Sequence, residues 1–131
     1  MAKPKVLIVE DNDMNKVLVR EILTLNGYET LEAKSGLEAL KILRDHTPDV
    51  ILMDIQLPEM DGITATRIIK SEEKNRGIPV LALTASAMKG DEENILSKGF
   101  DGYVAKPIEV KKLVETVAAV MKEMGGREKR E

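Results

Sequence analysis

Cysteine is absent from the chain, which excludes at once a disulfide-stapled scaffold, a thiolate zinc site and a cysteine nucleophile. Histidine is nearly absent as well. His46 stands alone at the end of a helical pattern, with no second His or Cys to share a metal, and reads as a solvated side chain. Long apolar runs are missing: the longest, Val6 to Val9 and Val50 to Met53, fall far short of the ~20 residues that span a bilayer, and Met1 to Lys5 lacks the apolar stretch of a signal peptide. Nor does either sign of charge dominate. Twenty Lys+Arg against 23 Asp+Glu leave a net charge of −3, and no face carries the dense basic block that tracks a phosphate backbone. A soluble, cytoplasmic protein with no membrane or direct nucleic-acid partner is expected. The 131 residues fill one domain at roughly 150 residues per domain. A chain of this size buries roughly two thirds of its surface, so its core needs no staples, and any output module is expected on another chain.

What the chain does have is period. Val6-Leu7-Ile8-Val9, Val50-Ile51-Leu52-Met53 and Val80-Leu81-Ala82-Leu83 are solidly apolar and too short for helices, as strands buried on both faces are. Helical patterns lie between them. Met14, Val17, Leu18, Ile22 and Leu25 stop at Gly27, and Leu37, Leu40 and Leu43 stop before Pro48. Further helices are read over about 62–71, with Ile63, Ile68 and Ile69, over about 91–98, and over about 110–124, where Val110, Leu113, Val114, Val117 and Met121 hold one face. Met53 and Met121 fit core faces. Tyr28 to Glu32 alternates and Gly102 to Ala105 is short, so these are the less enclosed strands. Five βα units in strict alternation predict an α/β fold: a flavodoxin-like, doubly wound parallel sheet with strand order 2-1-3-4-5. Residues 1–124 form the domain, and 125–131, without an apolar residue, reads as a charged, frayed tail.

In such a sheet every strand ends at one rim, and ligands bind there, near the point where strand order reverses. Glu10, Asp11 and Asp13 follow the first strand, Asp54 the third, Thr84, Ala85 and Ser86 the fourth, Lys106 and Pro107 the fifth. The reversal sets Glu10 and Asp11 beside Asp54. Two unit charges at ~4 Å repel by about 4 kcal/mol at an effective dielectric of 20, so three carboxylates need protonation or a hard divalent cation such as Mg²⁺. Lys106 alone cannot balance them. Carboxylates, a hydroxyl and an ammonium around one point suit a phosphoryl group. A lone Asp ahead of a helix is more simply a cap, and that reading is kept for Asp13; the company of Asp54 and Lys106 moves Asp11 into the site.

Together these residues resemble the receiver domain of response regulators, the CheY-like family, across about 4–124. The resemblance rests on Val6-Leu7-Ile8-Val9-Glu10-Asp11-Asn12, on Leu52-Met53-Asp54-Ile55-Gln56-Leu57-Pro58-Glu59-Met60-Asp61-Gly62, on Leu83-Thr84-Ala85 and on Tyr103-Val104-Ala105-Lys106-Pro107. It implies that Asp54 is the phosphoacceptor and that Glu10, Asp11, Asp54 and the backbone carbonyl of Gln56 hold Mg²⁺, Glu10 through water, since the acidic pair is Glu-Asp where Asp-Asp also occurs. It implies that Thr84 and Lys106 contact phosphoryl oxygens, that the Lys106-Pro107 bond is cis, that Thr84 and Tyr103 form the switch, and that Gln56 and Ser86 help set the phosphoryl lifetime. The stretch 84–92 resembles both the single-domain regulators of the DivK type and the receivers attached to hybrid histidine kinases; a free-standing regulator is the favoured reading.

The implied partners are a histidine kinase or histidine phosphotransferase, and a downstream protein bound through the fourth helix, fifth strand and fifth helix, the region of Ile95, Ala105, Val110 and Lys111. The protein would catalyse only its own phosphorylation and dephosphorylation. A phosphatase of haloacid-dehalogenase type is the enzymatic alternative, but its second Asp, two residues after the nucleophile, is replaced here by Gln56. A nucleotide or flavin module is the third reading; the first loop, Glu10-Asp11-Asn12-Asp13, lacks the glycine-rich anion cradle it needs.

Overall fold

The computed structural model describes residues 3–85 and 91–130. Strands and helices alternate along them: β1 (Lys5–Val9), α1 (Asp13–Leu25), β2 (Glu29–Ala33), α2 (Gly36–Asp45), β3 (Val50–Asp54), α3 (Gly62–Ser71), β4 (Val80–Thr84), α4 (Asp91–Ser97), β5 (Gly102–Ala105) and α5 (Val110–Arg130). The sheet is parallel throughout and ordered β2-β1-β3-β4-β5, with the alternating strand at one edge, as its half-polar pattern requires.

The solid apolar runs divide between two cores because successive side chains of a strand point to opposite faces. Leu7, Val9, Ile51, Met53, Val80 and Ala82 face the layer of α2, α3 and α4. Val6, Ile8, Val50, Leu52, Leu81 and Leu83 face α1 and α5. Among the described residues no helix is long and apolar enough to cross a membrane.

Several details depart from the pattern in the sequence. Helix α1 has two apolar stripes, and the buried one is Lys16, Val19, Ile22 and Leu23. Met14 and Leu25 are more than four fifths exposed, and Val17 and Leu18 are exposed beside them. In α2 the buried residues are Gly36, Ala39 and Leu43, Gly36 against Met60 and the Ala65 of α3, while Leu37 turns outward. Val110 is 57% exposed, so the buried stripe of α5 begins a turn later, at Leu113 and Val117. Helix α5 runs to Arg130.

Candidate functional site

The strand ends converge as the strand order requires. Glu10 leaves β1 with its amide bound to the Ala33 carbonyl of β2 (3.0 Å), and the Lys106 amide, just past β5, donates to the Thr84 carbonyl of β4 (2.8 Å). Between them Asp54 closes β3. Carboxylate oxygens of Glu10, Asp11 and Asp54 lie within 4.8 Å of one another. The Lys106 Nζ stands 2.8 Å from Asp54 Oδ2 and 2.9 Å from Glu10 Oε1. Asp54 Oδ1 accepts the Gln56 N–H at 2.9 Å, and Glu10 Oε2 accepts the Asn12 N–H at 3.2 Å.

The electrostatics follow from burial. Glu10 is fully buried and Asp54 is 4% exposed, whereas Asp11 faces solvent. Desolvation raises the Glu10 pKa from 4.5 to about 7; its hydrogen bond and repulsion with Asp54 push the same way, while Lys106 and the Asn12 amide pull it down. For Lys106, burial works to lower the pKa, but the hydrogen bonds and charges of Asp54 and Glu10 outweigh it and hold the ammonium above its ordinary value. Among the described residues, one ammonium therefore faces three carboxylates. That shortage of positive charge, with oxygen donors alone, fits a hard divalent cation.

Other residues singled out in the sequence lie around this cluster. Thr84 is buried at the end of β4 and lines, with Asp54, Gln56 and Lys106, a cavity of about 180 Å³ that runs inward past Ile55 to Phe100. The Lys106–Pro107 peptide is cis. Tyr103 is half-buried on β5, packed against the core beneath α2, α3 and α4, and is not among the residues lining the cavity. His46 is the exposed C-cap of α2. Ser86 lies outside the described residues, as does the rest of 86–90. Asp13 is not the cap of α1: Asn12 is, its side chain accepting the Asn15 N–H at 2.9 Å. Asp13 is the first helical residue and pairs with Lys16 at 3.4 Å. The chain turns into the helix one residue earlier than the Asp13 cap requires, and an acidic group in the first turn still meets the favourable end of the helix dipole.

One residue of the site went unassigned in the sequence. A Cβ on Gly62 would collide with the Asp54 carbonyl oxygen and lie 2.9 Å from Ile55 Cα. The glycine lets α3 start directly against the end of β3, and its amide bonds the Ile55 carbonyl at 2.9 Å. The only sequence signal for it is its place just after Asp61, which caps α3 by accepting the Thr64 N–H at 2.8 Å.

The family model for the response regulator receiver domain matches residues 6–118. The polar-differentiation response regulator DivK of Brucella ovis is 51% identical over 116 residues, covering 88% of this chain and 94% of its own length. Among solved structures, the receiver domain of a sensor histidine kinase from Pseudomonas aeruginosa PAO1 superposes with a TM-score of 0.84 at 36% identity, over 92% of this chain and 99% of that one. That structure holds a magnesium ion in its active-site cleft. The chemotaxis response regulator CheY4 of Vibrio cholerae superposes with a TM-score of 0.85 at 28% identity, over 91% of this chain and 99% of its own.

Proposed function

This chain belongs to the response regulator receiver domain family, and from that membership we propose that Asp54 accepts a phosphoryl group from a phosphohistidine on a histidine kinase or histidine phosphotransferase. The observation that carries this reading is the meeting of Glu10, Asp11, Asp54 and Lys106 at one point on the rim. An Asp54 carboxylate oxygen attacks phosphorus in line. The new O–P bond forms as the P–N bond of the donor breaks, and the electron pair departs with the imidazole nitrogen. Glu10, Asp11, Asp54 and the Gln56 backbone carbonyl would hold Mg²⁺, which supplies positive charge against the oxygens of the transferring group. Lys106 then holds a phosphoryl oxygen of the aspartyl phosphate, and the Thr84 hydroxyl donates to another.

The donor needs a surface on which to dock, and α1 offers one. Met14, Val17 and Leu18 are exposed and apolar within two turns of Asp11. Output runs from Thr84, which moves towards the phosphoryl group, to Tyr103, which turns inward. The face of α4, β5 and α5 then changes its affinity for a downstream protein in the cytoplasm. The chain acts on itself alone, as a switch rather than a phosphatase of external esters.

Intact-mass analysis tests the assignment. With acetyl phosphate and Mg²⁺ the wild type should gain one phosphoryl group and Asp54→Asn none; equal labelling of the two would refute it.

A further inference from the structure

The loop from β3 to α3 is fastened at two places, only one of which is the acidic cluster. At the cluster end, the Gln56 amide holds Asp54 Oδ1 at 2.9 Å and the Gly62 amide holds the Ile55 carbonyl at 2.9 Å. Beyond it, the Met60 amide donates to the Pro58 carbonyl at 2.7 Å, and Glu59 between them has φ +65°, so these residues form a tight three-residue turn of a kind that side chains other than glycine seldom enter. Such a conformation persists only where its surroundings hold it. Met60 supplies the hold. A Cβ on Gly36, the first residue of α2, would lie 3.1 Å from Met60 Sδ and 3.1 Å from the Ala65 Cβ of α3. The thioether therefore sits directly on the glycine, where α2 and α3 meet, and packs against the core cluster of that layer.

We propose that Met60, seated on Gly36, is a positioning residue for the acceptor loop: it fixes the backbone from Asp54 to Gln56 and ties that position to the first turn of α2. The inference rests on the reading of the acidic cluster as a Mg²⁺ site. Gly36 belongs to α2 and contributes no ligand to the cluster; its neighbours are Met60 and the Ala65 Cβ of α3, so its effect on metal affinity arrives through the seat or through α3, and Met60→Ala, which leaves Ala65 in place, tells the two routes apart. By linkage the coupling runs both ways: a seat that changes metal affinity is itself changed when metal binds at Asp54.

The test is a MgCl₂ titration of the full chain followed by amide NMR, with thermal melts to establish folding. Gly36→Ala and Met60→Ala should weaken Mg²⁺ binding by about tenfold, the effect typical of supports behind a metal site, and Met60→Leu, which nearly restores the volume, should recover most of it. In the wild type the amides of Gly36 and Leu37 should shift with the same midpoint as that of Gln56. Folded Gly36→Ala and Met60→Ala chains with wild-type affinity would overturn the proposal. If neither variant folds, the wild-type amides decide alone: stationary signals at Gly36 and Leu37 while Gln56 titrates would overturn it too. A wild type that takes no Mg²⁺ at all would bring down the metal-site reading, and this inference with it.

Discussion

Replacing Glu10 by glutamine should stabilise the metal-free protein above neutral pH and remove most of its pH dependence. The carboxylate is fully buried, and its pKa rises from 4.5 to about 7 chiefly because burial penalises the charge. Between those two values the folded chain keeps a proton that the unfolded chain has already released. Stability must therefore fall as pH rises through this window, and above it the folded state carries the whole cost of a buried, under-compensated anion. At about 1.4 kcal/mol for each pH unit, the rise from 4.5 to about 7 is worth about 3 kcal/mol, a large fraction of the stability of a small domain. Glutamine keeps the shape and still offers an oxygen to the Asn12 amide, while Lys106 retains Asp54 as its partner. The assay is urea unfolding followed by circular dichroism between about pH 5 and pH 8 in chelator-treated buffer. The wild-type midpoint should drop steadily across that range and the Glu10→Gln midpoint should stay nearly level. Added MgCl₂ at the alkaline end should recover more stability for the wild type than for the variant. Parallel pH profiles for the two proteins would refute the reasoning, because they would place the titrating group elsewhere.

Asp11 faces solvent, so Asp11→Ala should change stability by no more than about 0.5 kcal/mol, yet flatten the Mg²⁺ titration and slow phosphorylation by acetyl phosphate; calorimetry and intact mass check the two halves. Gly62→Ala drives a methyl group against the Asp54 carbonyl, and thermal melts should show a loss of about 3 kcal/mol or more, since the obstacle is backbone that cannot rotate away. Lys106→Ala removes the ammonium that competes with metal for Glu10 and Asp54. Mg²⁺ should bind more tightly to that variant in a calorimetric titration, while labelling of Asp54 falls.

The topology was legible because strands buried on both faces leave unbroken apolar runs, and the residue after each run is set at the rim by the fold alone. Glu10, Asp54, Thr84 and Lys106 could be picked out in that way. The faces of the helices were harder to read. In α1 Met14, Val17 and Leu18 have the spacing of a buried stripe, yet Lys16 and Val19 pack inward, because periodicity reports that a stripe exists and not which of two stripes meets the sheet. The seat of Met60 on Gly36 left no local mark in the sequence, and the approach of Gly62 to Asp54 left only the place of that glycine after the Asp61 cap. Both depend on backbone passing close to residues distant in the chain. The cap of α1 was misplaced by one residue for a plainer reason: Asn12 and Asp13 are both good caps, and only the dihedral angles of the chain decide between them.

The ammonium of Lys106 meets one carboxylate 52 residues earlier in the chain and another just past the end of the first strand. A polypeptide emerging from the ribosome therefore displays its acidic residues long before the fifth strand delivers their counter-charge. Until that strand docks, the carboxylates lack the ammonium that offsets their repulsion. Truncated or half-synthesised copies, which lack Lys106, cannot complete the cluster: Glu10, Asp11 and Asp54 meet their counter-charge only in a chain built and folded as far as its fifth strand.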